Sequence, residues 1–201
     1  MILKYVWSIL TEPVLTWSKI RDENWSAVEI YLRIIIPLAL ISPVAGLIGT
    51  TQFGWQIGPG EPVMLTGSSA LQISLAYFGA ILVSVFVIAM LIRWMSETYG
   101  DQKPFVRTLA LAAYTAVPLF LIGIVQIYPV LWVNFLFGLP ALAYSVYLLY
   151  SGVPIMMDIP QEKGFLFASA VLAVGLVALV GLLASTVVLW SFGLGPAFMS
   201  G

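Results

Sequence analysis

The chain has 201 residues, 61% of them hydrophobic and 8% charged, with a formal net charge of -1 and neither Cys nor His. Soluble domains carry about 25% charged residues, so this chain cannot cover its surface in water and reads as an all-α integral membrane protein. The missing Cys and His exclude thiol and imidazole catalysis and the common zinc sites, and the near-neutral charge offers no field for nucleic acid, so neither enzymatic activity nor a cofactor is expected.

The first ten residues, "MILKYVWSIL", do not have the form of a secretory signal, because no small-residue cleavage site follows an apolar core. Residues 1–29 read as a cytoplasmic, interfacial segment. Within it, residues 12–22 predict a short amphipathic helix, capped by Thr11 and with Pro13 in its first turn. Val14, Trp17 and Ile20 share one face, which suits either the membrane interface or docking on the bundle itself. Ser26 and Glu29 have the spacing of a capping box and mark the start of the first span. Glu29 and Arg33 are four apart in the favourable order for an ion pair. Arg33 either snorkels to headgroups or faces a partner.

A span needs about 20 mostly apolar residues. Charge-free runs cover 34–60, 62–92, 108–157 and 164–201. The third is too long for one crossing and breaks at Pro129, between the interfacial aromatics Tyr128 and Trp132. Five transmembrane helices are therefore predicted, at about 30–50, 70–93, 107–128, 131–151 and 165–190, making a bundle over 30–190 with a short outer tail, 191–201. The basic residues are Lys4, Lys19, Arg21, Arg33, Arg93, Lys103, Arg107 and Lys163. With five spans all of them fall on one side, which places the N-terminus in the cytoplasm and the C-terminus outside. On that side the Asn24-Trp25-Ser26 acceptor pattern reads as chance.

Residues 49–62, "GTTQFGWQIGPGEP", then lie on the outer face. They read as a surface cap, with Thr50, Thr51 and Gln52 bonding water or headgroups and Phe53 and Trp55 as interfacial aromatics. Gln52, Trp55 and Gln56 form a candidate outer site for lipid or ligand. A filter loop is disfavoured, because no pore helix is visible.

Pro37, Pro43, Pro118 and Pro140 fall inside spans and are expected to kink them. No ionisable residue lies at mid-membrane depth, which argues against proton-coupled transport. Asp22, Asp101 and Asp158 all fall in cytoplasmic segments, so an aspartyl intramembrane protease is excluded. Small residues in the last helix, from Ala168 to Ala184, permit close packing, and Tyr144, Tyr147 and Tyr150 read as packing and interface anchors.

Three stretches together resemble the Yip1 family of small multi-span membrane proteins, in its bacterial inner-membrane branch. "YGDQKPFVRTLALAAYTAVPLFL" carries Gly100, Arg107, Tyr114, Thr115 and Pro118 in the family's order, a Gly-containing loop, a basic residue and Tyr-Thr-x-x-Pro on a helix. "YLLYSGVPIMMDIPQEKG" follows with Gly-x-Pro and an acidic–basic loop, and "GTTQFGWQIG" resembles the branch's outer loop. The N-terminal "TEPVLTWSKIRDE" is similar as well. The resemblance implies five helices and a cytoplasmic N-terminus. Eukaryotic members resemble adaptors for small GTPases, but their Asp-Leu-Tyr-Gly-Pro motif and long N-terminal domain are not seen here, so GTPase binding is not implied.

The expected function is a non-enzymatic scaffold or adaptor that binds membrane lipid, another membrane protein or itself. Glu29, Arg33, Arg107 and Lys163 are its candidate cytoplasmic contacts. The alternative is a transporter or lipid-moving protein that uses a groove between proline-kinked helices, lined by Tyr114, Gln72 or Gln126.

Overall fold

The computed structural model describes residues 4–56, 61–99, 102–191 and 197–198. Two short helices come first, α1 (Lys4–Thr11) and α2 (Pro13–Asp22). The bundle follows: α3 (Ala27–Phe53), α4 (Gly67–Tyr99), α5 (Phe105–Thr115), α6 (Val117–Ile127), α7 (Leu131–Met157) and α8 (Gln161–Ser191). Among the described residues the only β pairing is isolated bridges in the loops. Three helices are long and apolar enough to cross a membrane, namely α3, α4 and α7, and α5 with α6 makes a fourth, bent by 41°. The fifth expected span falls on α8, which is 31 residues long.

Helix α1 was not expected from the sequence. Thr11 does not cap α2 either: its hydroxyl turns back to the carbonyls of Trp7 and Ser8, and Glu12 occupies the cap position without a side-chain bond. Pro13 does occupy the first turn, where its missing N–H costs nothing. The capping box at Ser26 is present, with the Glu29 N–H donating to Ser26 Oγ at 3.2 Å and the Ser26 N–H to the Glu29 carboxylate at 3.0 Å.

The prolines act differently from one another. Just ahead of Pro37, Ile36 N–H reaches the Tyr31 carbonyl, so a π-helical turn over Tyr31–Ile35 absorbs the break. The ring of Pro118 conflicts with the Tyr114 carbonyl four residues earlier, and the chain bends between α5 and α6. Helix α7 instead runs through both Pro140 and Pro154 to Met157, past the expected end at 151. Helix α3 likewise passes the expected end at 50 and closes in a second π-helical turn, Gly49–Phe53.

Helices α4, α5, α7 and α8 pack in a ring, with α8 closing against α4, while α3 packs against α4, α5 and α6 and sends Ile30, Ile34, Ile35 and Ala39 into the core. Two glycines let α3 meet α6 closely. A Cβ on Gly123 would sit 1.9 Å from Ser42 Oγ, and one on Gly49 would sit 2.3 Å from the Gln126 carbonyl. The core lies toward the charged end, where α5 is buried without a break from Thr108 to Tyr114. The helix faces pointing away from the ring carry exposed Leu, Phe and Trp, as lipid contact requires.

At the opposite end the first loop is fastened by backbone bonds. Trp55 pairs with Val63, and Gln56 bonds Pro129 and Leu131 across the turn between α6 and α7. Leu65 N–H reaches Thr50, and Thr66 N–H reaches Ala197. Gly54 has a φ of 77°, which only glycine adopts without strain, and its Cβ position lies 2.8 Å from Pro62. The described part of this stretch is fastened to the bundle, and the Thr50 and Thr51 hydroxyls, expected to meet water or headgroups, bond the Gly46 and Leu47 carbonyls of their own helix.

Candidate functional site at the charged end

The charged side chains gather where α2, the start of α5 and the end of α7 meet. Helix α7 ends on Asp158, the single non-glycine residue with positive φ among those described, at 52°. That left-handed turn suits Asp better than a branched residue. It aims the carboxylate at three cations. Arg107 lies 2.6 Å away, Arg21 3.3 Å and Lys103 3.8 Å. Arg107 also donates to the Met156 carbonyl at 3.5 Å, one of the acceptors left open by the helix end. Arg21 is shared with its neighbour Asp22 at 3.0 Å, and this bond, followed by the charge of Asp22, holds its guanidinium more firmly protonated than usual.

Beside this cluster opens a pocket of about 180 Å³. Its polar wall is Arg21, Glu23, Asn24 and Arg107; its apolar wall includes Trp25, Ile30 and Ala110. Glu23 accepts from the Tyr5 hydroxyl at 2.7 Å, which ties α1 to the linker before α3. That bond comes first, and burial and the Glu23 charge second, in raising the Tyr5 phenol above its ordinary pKa.

Behind Trp25, which lines the pocket, lies a buried aromatic floor that does not itself touch the cavity. Tyr114 is fully buried, stacked on Trp25 with ring centres 6.1 Å apart and edge-on to Trp17 at 6.3 Å. Trp17 is also fully buried, and Gly152 of α7 makes its space. Tyr144 donates to the Leu10 carbonyl at 2.9 Å, so α1 and α2 are both held on α7.

A Yip1 domain model matches residues 7–182. The chain belongs to the Yip1 family. It is 36% identical over 191 residues to the inner membrane protein YohC of Escherichia coli K12, covering 95% of this chain and 98% of that protein. The match to YohC of Escherichia coli O6:H1 has the same identity and coverage. No solved structure matches the chain.

The Yip1 motif now has physical content. Tyr114 forms the aromatic floor, Pro118 bends the helix, and Thr115 sits at the break with its hydroxyl buried and without a hydrogen-bond partner. Gly100 lies outside the described residues. The Gly152-Val153-Pro154 stretch is a packing device as well: Gly152 admits Trp17, and Gly164 lies so close that a Cβ there would be 2.5 Å from Pro154.

The candidate contacts are not brought to one place. Arg107 joins the Asp158 cluster, Glu29 and Arg33 pair with each other at 3.8 Å, and Lys163 is exposed at the start of α8. At the opposite end Gln52 and Trp55 are exposed, and Gln56 is held by its backbone in the cap. Sequence reasoning missed Arg21, Glu23, Lys103 and Asp158 as site residues. One signal was available for Asp158: an Asp just past an apolar helix and two residues before a proline fits a left-handed helix end.

Proposed function

We propose that this Yip1 chain is a five-span, non-enzymatic scaffold of the bacterial inner membrane that binds lipid or another membrane protein through its charged end. The observation that carries the reading is the Asp158 cluster with its neighbouring pocket, where three segments distant in sequence present polar side chains together. The buried aromatic floor beneath it supports binding rather than passage. Of the three residues named for a transport groove, Tyr114 is fully buried, Gln126 donates to the Tyr77 hydroxyl at 3.2 Å, and Gln72 is exposed.

Five spans are supported by the bridge between Leu65 and Phe198, which brings the far side of α8 to the end opposite Asp158. The eight basic residues then lie on one side, and the positive-inside rule makes the charged end and the N-terminus cytoplasmic. The inner-membrane assignment follows the name of the YohC relatives.

The test is gentle extraction of the full chain from its native membrane, followed by mass spectrometry. A stoichiometric protein or lipid companion that is lost on R107Q supports the reading. An unaccompanied chain that moves solute or lipid in liposomes would replace it with transport.

A further inference from the structure

We propose that the pocket at the charged end takes a zwitterionic phospho-amine headgroup, its phosphate on Arg107 and Arg21 and its ammonium between Glu23 and the face of Trp25. The inference rests on the lipid-binding reading and names the chemistry of that same site.

Charge balance is the first argument. Arg21, Lys103 and Arg107 share two carboxylates, Asp158 and Asp22. Among the described residues these three cations meet two carboxylates, and Arg21 and Arg107 are the two that line the pocket. Arg107 has one short contact to Asp158, and its planar guanidinium keeps further N–H groups for an anion. Glu23, in the same polar lining, has the Tyr5 hydroxyl as its partner and no cation within ion-pair distance among the described residues. The lining thus carries both signs, cationic N–H groups at Arg107 and Arg21 and a carboxylate at Glu23 that has no cation of its own among the described residues. A simple anion meets only half of that pattern, and a zwitterion meets both.

Shape and depth agree. A cavity of about 150 Å³ holds a benzene-sized guest, so this one suits a small headgroup and not a protein segment. Trp25 is half-buried, backed by Tyr114, and presents an aromatic surface on which an ammonium gains cation–π attraction. Ile30 and Ala110 line the pocket and are themselves buried in the core, so the site is closed toward the bundle and takes a headgroup alone.

The test uses the full chain in detergent and native mass spectrometry with added phosphatidylethanolamine or phosphatidylglycerol, with soluble phosphoethanolamine as competitor. Phosphatidylethanolamine should be retained about tenfold over phosphatidylglycerol, the scale of one charge-assisted hydrogen bond. E23Q keeps an acceptor for Tyr5 and should fold, yet bring the two lipids to parity; R107Q should weaken both. Competition by soluble phosphoethanolamine assigns the site to the free headgroup, and retention that resists it assigns the site to the lipid; either upholds the chemistry. Equal retention of the two lipids by the wild type, or an unchanged preference in E23Q, overturns it while leaving lipid binding intact. Retention of neither lipid overturns the headgroup site and the lipid-binding reading together, leaving a protein partner as the surviving form of the proposed function.

Discussion

Gly152 and Trp17 are matched to each other: a Cβ on Gly152 would lie 2.6 Å from Cε2 of the fully buried Trp17 ring. The ring is what seats α2 on α7, so docking on the bundle, one of the two placements the sequence allowed, is present. Val14 and Leu15, which remain exposed, leave room for lipid contact on its other side.

G152V should therefore displace Trp17 and loosen α2. Overpacking of this kind costs about 1–3 kcal/mol, and W17A should cost about 3–5 kcal/mol. Limited trypsin digestion reads both, because Lys19 and Arg21 lie on α2. Unchanged cleavage at these two sites in G152V would mean that the ring does not hold the helix.

D158N keeps a side chain that tolerates the left-handed turn but removes the charge that three cations share. Asp158 is 44% exposed, so its ion pairs are partly screened and the loss should be about 1 kcal/mol. Thermal unfolding in detergent should show a lowered Tm that added salt narrows relative to wild type. A Tm equal to wild type at low salt would show the cluster to be energetically silent.

The bond from Tyr5 to Glu23 sets an alkaline limit on α1 docking. The Tyr5 pKa is raised in the folded state, so this contribution is whole below the ordinary tyrosine pKa of about 10 and is lost as pH climbs through the folded value. Docking should hold constant through neutral pH and fail above that range. In Y5F the alkaline loss should be absent. A tyrosinate absorbance titration of wild type against Y5F, run beside trypsin release of α1, checks the sign.

Five spans place Lys163 and Phe198 on opposite sides of the membrane. The chain has no Cys, so K163C and F198C each give a single reporter. An impermeant maleimide should label F198C in spheroplasts and reach K163C after lysis. Labelling of both from the same side would mean that α8 does not cross.

Much of the architecture was legible in sequence because membrane partition acts on composition. Charge-free runs are costly in water, so their lengths and the breaks at Glu61, Pro129 and Asp158 mark the helices. Local chemistry also read correctly where it is short-ranged. The Ser26–Glu29 box and the Glu29–Arg33 pair each need only one helical turn. Helix ends read less well: α3 and α7 run several residues past their expected stops, because π-helical turns and bundle neighbours absorb the breaks.

Tertiary structure alone decided what the charged end is. Arg21 and Asp158 are 137 residues apart, and Arg107 and Asp158 are 51 apart. No periodicity links residues at such distances. Their meeting depends on the seat of Trp17 in Gly152, the bend at Pro118 and the left-handed turn at Asp158. Sequence determined that this is a helical membrane protein of the Yip1 family. Packing determined which of its charges face one another, because only the folded bundle brings separate helix ends to one place.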